Sequence, residues 1–203
     1  MHKIHHITGV ILTVFVGLHL LNHTYAVLGA RQHIEFMQTL RLFYRNIFIE
    51  TLLLFAVAVQ IITGLRLFRN ARDNANTLFE RLHIYTGLYL SAFFIIHIGA
   101  VMIGRVLLHL DTNFYFGVAG LNIFPLNLFF IPYYGLAILS FFGHIASIHY
   151  KKMKLTIVGI SPGKQSIAIL AIGFVLTVII FYGLTNGFAG VTIPNEYNIQ
   201  LSK

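Results

Sequence analysis

Five stretches of this sequence are long and apolar enough that a membrane-crossing helix is the form they allow. They cover roughly residues 7–28, 47–67, 82–108, 126–148 and 166–184, and each approaches or exceeds the ~18–20 residues that span a bilayer as helix. Lipid offers no partner to unpaired backbone N–H and C=O groups, so each span must satisfy its own. The runs are also too continuous for the alternating strands of a membrane barrel. The balance of 57% hydrophobic to 10% charged residues, with a mean hydropathy of +0.79, excludes an ordinary soluble domain. The expected fold is therefore an all-α integral membrane protein, one domain over residues 1–203. Spans one to four form a bundle, and the fifth, with no charge or histidine, lies alongside as a peripheral helix.

The net charge of +8 orients these spans. With the N-terminus inside, the inner segments hold Lys3, Arg66, Arg69, Arg72, Arg81, Lys151, Lys152, Lys154 and Lys164. The outer ones hold Arg31, Arg41, Arg45, Arg105 and Lys203. That asymmetry favours a cytoplasmic N-terminus and an external C-terminus in a cytoplasmic membrane. The inner face would meet anionic lipid or a soluble partner, and nothing in the pattern points to nucleic acid. A cleaved leader is not expected, because no small-x-small site follows the first run.

The connections carry their own signals. Residues 29–46 place Ile34, Met37 and Leu40 at helical spacing among Arg31, Glu35, Arg41 and Arg45, which predicts an amphipathic helix on the membrane surface. Asn76 or Thr77 is positioned to cap the third span. The aromatic residues between Arg105 and Pro125 read as interfacial anchors. Ser161-Pro162-Gly163 reads as a turn, and the polar tail from Thr185 to Lys203 as loosely ordered.

The histidines carry the chemistry. His5-His6-Ile7-Thr8-Gly9 with His19, and His83-Ile84-Tyr85-Thr86-Gly87 with His97, both read H-x-x-T-G-x9-H and stand 78 residues apart. Fourteen residues of helix rise ~21 Å and bring the two rings of each copy to within roughly 40° of one face. Spans one and three run in the same direction, so His19 and His97 should meet at one height in the outer half. Paired imidazoles across a helical bundle suit a bis-histidine clamp for b-type haem. The chain has no cysteine, so thiolate ligation, covalent haem attachment and protein-held iron–sulfur clusters are excluded. His5, His83, His144 and His6 are candidates for a second, inner haem or a quinone site. Arg31, Arg41 and Arg45 are candidates for haem propionate contacts, with solvated anchoring as their simpler role.

The chain also resembles the five-helix cytochrome b membrane-anchor subunit of Bacillus-type succinate:quinone oxidoreductases (succinate dehydrogenase and fumarate reductase). The resemblance runs from His5 to about Tyr150. It is carried by the H-x-x-x-G-V at His5 to Val10, His19-Leu20, Gly29, Glu50, Arg81-Leu82, Thr86-Gly87 leading to His97, and Tyr133-Tyr134 leading to His144. In that family, four histidines on four successive helices hold two haems. The resemblance implies His19 and His97 as the outer pair and His144 as the fourth-helix ligand of the inner haem. The second-helix partner aligns at Gln60 or Ile61, where the sequence departs from the pattern. The inner haem is then either absent or built by His144 with His5, His6 or His83.

The resemblance implies a subunit that relays electrons between quinone or quinol and a partner redox protein, with flavoprotein and iron–sulfur subunits on the cytoplasmic face. Its enzymatic part would be quinone reactivity at most. Two other readings remain at this level: a haem-free membrane scaffold of a larger complex, and a stand-alone mono-haem electron-transfer cytochrome.

Overall fold

The computed structural model describes residues 2–198 of the chain, so Lys203 lies outside the described residues. Seven α-helices follow one another: α1 (His2–Thr24), α2 (Ala30–Tyr44), α3 (Ile47–Ala71), α4 (Leu78–Met102), α5 (Phe114–Asn122), α6 (Asn127–Lys152) and α7 (Pro162–Leu184). Among the described residues the only β pairing is an isolated antiparallel bridge between Ile157 and Ile160. Helices α1, α3, α4, α6 and α7 are long and apolar enough to cross a membrane, which makes the chain an all-α multi-pass membrane protein.

Local chemistry sets the helix ends. α1 tightens into a 3-10 turn over Tyr25–Leu28 and stops at Gly29, whose φ of 113° only glycine adopts without strain. α2 follows at once, along the surface stretch where an amphipathic helix is expected. Asn46 opens α3 by accepting a hydrogen bond from the Phe48 N–H at 3.0 Å. Of the two candidate caps of α4, Thr77 holds the position, and with Glu80 it forms a reciprocal capping box. Ser161-Pro162-Gly163 is not a free turn: Ser161 is the N-cap residue and Pro162 the first residue of α7, where a missing N–H costs nothing.

Neighbouring helices pack in the order α1–α3–α4–α6, and α7 lies alongside α6 and reaches back to the C-terminal end of α1. Small residues set the closest approaches. A Cβ on Gly173 would stand 2.5 Å from Cβ of Phe142, and one on Gly183 would stand 2.6 Å from the Val27 backbone nitrogen.

Two segments differ from the sequence expectation. Residues 114–122, expected to anchor at the interface, form α5, whose Phe114, Val118 and Leu121 are buried with Leu20, Ile138, Ile180 and Leu184 in the main apolar core. Its aromatic residues fill space between helices because Asn113 caps a helix there, accepting from the Tyr115 N–H at 2.9 Å. The tail is not loose as far as it is described. The Val191 N–H donates to Asn122 Oδ1 at 3.0 Å, and Tyr197 is buried with its ring stacked on Tyr115. Val191 and Ile193 pack on the core, an apolar contribution hidden among polar neighbours.

Gly183→Ala should destabilise the detergent-solubilised protein by about 1–3 kcal/mol, because backbone cannot yield as a flexible side chain would. Gly117, with nothing within 4 Å of its would-be Cβ, should accept alanine neutrally or with a small gain. Thermal unfolding of the two variants checks this, and equal effects would contradict the packing.

Candidate functional site

α1 and α4 bring His19 and His97 to one level, with ring centroids 6.2 Å apart and planes at 67°. Each ring is backed by an aromatic on its own helix. Phe15 stacks on His19 at 6.0 Å, Phe93 stacks on His97 at 5.0 Å, and the Tyr134 ring of α6 meets His97 edge-on at 6.2 Å. The repeat thus delivers the juxtaposition that its spacing predicts. An iron held by both imidazoles, at about 2 Å from each nitrogen, would put the ring centres about 6 Å apart. The centroid separation is of that size, while His19 Nε2 itself lies 3.2 Å from His23 Nε2. A Cβ built on Gly17 or Gly99, each two residues from a ring-bearing position, meets nothing within 4 Å, which leaves open space beside both helices at this depth.

The same level holds two further histidines, His23 and His33, which the sequence does not by itself assign to the site. His23 lies one helical turn beyond His19, with its Nε2 at 3.2 Å from His19 Nε2. Its Nδ1 is 3.2 Å from Nε2 of His33 on α2, and that nitrogen also receives the Asn22 amide at 3.2 Å. Asn22, His23 and His33 therefore continue the pair outwards as a chain of contacts between α1 and α2. Two signals in the sequence mark them: His19 and His23 at i, i+4, and the stripe His33, Met37, Arg41, which is the buried face of α2. His33 Nδ1, Asn22 Oδ1 and Arg41 Nε are buried without a partner.

The candidate arginines separate. Arg31 is exposed and bonded to Glu35 at 2.8 Å, one turn away on the same helix. Arg41 is 7% exposed and reaches Asp111 at 2.8 Å, and Arg45 donates to Thr112 Oγ1 at 3.0 Å. Arg105, in a π-helical turn that extends α4, pairs with Glu50 at the start of α3. Arg41 and Arg45 thus tie α2 to the segment before α5, close to the outer histidines.

The inner level is built differently. His83 and His144 stack face to face, with centroids 4.3 Å apart and planes at 18°. His144 Nδ1 is 3.2 Å from the His83 carbonyl and 3.3 Å from Thr86 Oγ1. Stacked planes turn their nitrogens sideways, so these two rings do not face a common axial line. His5 lies with Nδ1 at 2.8 Å from Thr63 Oγ1. With its carboxamide turned so that nitrogen and oxygen each meet a complementary group, Gln60 places its nitrogen 2.6 Å from His5 Nδ1 and 3.1 Å from the His5 carbonyl, and its oxygen 3.3 Å from the Gly9 nitrogen. His6 is exposed and joins no cluster.

These contacts extend the repeat from single helices to helical hairpins. Thr8 bonds back to the carbonyls of Ile4 and His5, and Thr86 does the same to Leu82 and His83. Gly9 lets Gln60 approach α1, as Gly87 lets His144 approach α4, with would-be Cβ distances of 2.8 and 3.1 Å. Gln60 on α3 holds the place against His5 that His144 on α6 holds against His83. No group of three or more His, Asp or Glu side chains among the described residues converges as a metal-ion site. No family model, curated protein or solved structure matches the chain.

His33 ties the outer cluster to pH. Burial, then nearby His19 and Arg41, push its pKa from 6.5 down to about 4. The folded value lies below the unfolded one, so its contribution is complete above pH 6.5 and is lost as pH falls through about 4. The cost should reach about 2 kcal/mol by pH 5. Amide protection factors in α2, taken relative to the intrinsic exchange rate at each pH, should fall over that window in the native protein and respond less in His33→Phe. An identical response in both would contradict this.

Proposed function

We propose that the chain is a membrane b-type cytochrome subunit that passes electrons between a quinone or quinol and a partner redox protein. The observation that carries this reading is the half-buried His19–His97 pair, two imidazoles from duplicated segments whose ring centroids stand 6.2 Å apart. His19 on α1 and His97 on α4 would hold haem b, and the group would supply one-electron transfer. Around it Phe15, Phe93 and Tyr134 exclude water, and the contacts of Arg41 and Arg45 hold α2 over the outer side. Arg41 and Arg45 stay candidates for a propionate contact, whereas the Arg31–Glu35 pair faces solvent.

The inner layer supports one haem rather than two. His144 and His83 are engaged with each other, and Gln60 stands where a second-helix ligand is needed and spends its amide on His5. Those side chains suit a polar, hydrogen-bonding layer, and the quinone headgroup is the redox partner that such a layer would recognise. Resemblance further suggests flavoprotein and iron–sulfur subunits on the basic face, with the N-terminus on the cytoplasmic side of the cytoplasmic membrane. The chain's own share is to ligate, insulate and position.

An absorption spectrum of the detergent-purified protein should show a Soret band that moves on dithionite reduction, with sharp α and β bands, and pyridine haemochrome should count one haem per chain. His97→Ala should abolish these bands while Gln60→Ala retains them. A colourless native protein would favour the haem-free scaffold, and equal loss in both variants would overturn the ligand assignment.

A further inference from the structure

At the basic end of the bundle, the connection between α6 and α7 is a small hairpin with an apolar tip. Ile157 and Ile160 exchange backbone hydrogen bonds at 3.2 and 2.9 Å around Val158 and Gly159, whose φ values are 50° and 74°. Positive φ at both central residues is the two-residue turn that favours Asn-Gly, so a β-branched residue at the first position is unfavourable for the backbone. Val158 is nonetheless there and 92% exposed, beside Leu155 at 69%, with Ile157 and Ile160 about half exposed. An apolar tip on a strained turn is a poor choice for a segment that faces water.

The hairpin is held firmly. Gln165, in the first turn of α7, donates its amide to the carbonyls of Ile160 at 2.7 Å and Leu155 at 3.1 Å. Its carboxamide oxygen lies 2.8 Å from His149 Nε2 on the last turns of α6, so one side chain pins both strands to both helices. Lys151, Lys152, Lys154 and Lys164 flank the tip, and none of them makes an ion pair among the described residues. The two carboxylates at this end are engaged elsewhere: Asp73 pairs with Arg72, and Glu80 closes the cap of α4. Tyr150 and Phe79 stack at 4.2 Å just below the hairpin, as interfacial aromatics do.

We propose that this hairpin is a clamped wedge that inserts its apolar tip into the headgroup region of the adjacent leaflet while its four lysines bind the phosphodiester groups of anionic lipid. Charge complementarity and position select the occupant. The lysines make no ion pair among the described residues, and the tip lies within a few residues of two membrane-crossing helices, where apolar side chains gain by leaving water. Gln165 keeps the tip from collapsing against the bundle. The proposal is independent of the haem reading.

The chain has no tryptophan, so Val158→Trp gives a single reporter. In nanodiscs of phosphatidylglycerol and phosphatidylcholine, acyl-brominated lipid should quench this tryptophan and aqueous iodide should not. Replacing the four lysines by glutamine should lower the lipid quenching at least about twofold in anionic discs and leave it unchanged in pure phosphatidylcholine. Gln165→Ala should lower it in both, with helix content by circular dichroism unchanged. A tryptophan quenched by iodide and indifferent to brominated lipid would overturn the proposal, as would a hairpin kept in water to receive a soluble protein. Should Val158→Trp fail to fold, Leu155→Trp carries the same readout.

Discussion

The absence of water inside a bilayer governs this structure. A polar side chain in a membrane-crossing helix is stable when it finds a partner in protein, and most here do; Asn22 Oδ1, His83 Nδ1 and Asn127 Oδ1 are buried exceptions among the described residues. Thr8, Thr13, Thr63, Thr86, Ser91, Ser147 and Thr177 bond back to carbonyls one turn earlier and need nothing further. The larger groups cannot do this, so they pair between helices: Gln60 with His5 and His144 with His83. His19 and His23 bond within α1 and reach His33 on α2. These contacts fix which helix faces are internal, and glycines at the crossing points let the helices close around them.

The duplicated segment turns that constraint into a site. Two parallel helices with the same spacing must present the same side chains at the same two depths. At the inner depth the repeat meets unlike partners, a carboxamide on α3 and an imidazole on α6, and both are absorbed by hydrogen bonding. At the outer depth the two copies meet each other; His19 keeps a polar partner in His23, and aromatic rings lie against both imidazoles. The likeness between the hairpins thus ends where their roles diverge: a hydrogen-bonded inner layer and an outer pair of imidazoles enclosed by phenyl and phenol rings. The sharp turn at Gly29 folds α2 back over that outer pair and buries His33, Met37 and Arg41 against it.

Much of this was legible from the chain alone. Span number follows from apolar length, and the meeting of His19 with His97 follows from the repeat, because helix geometry is periodic and parallel spans keep register. The role of Gln60 was visible only as a departure from a pattern; its contact with His5 depends on how closely α3 packs at Gly9. The link from His23 to His33 was not legible, because it crosses a turn and no periodicity runs through Gly29. α5 was hidden for a related reason. A nine-residue helix flanked by polar residues has the composition of an interfacial loop, and its burial depends on α6 and α7, far along the chain.

The account rests on two imidazoles sharing one iron. Electron paramagnetic resonance of the oxidised, purified protein tests this most directly, with pulsed measurements of the nitrogen couplings. It should give a low-spin ferric signal coupled to nitrogens from two imidazoles. A high-spin signal, coupling to a single imidazole, or no iron signal at all would contradict it.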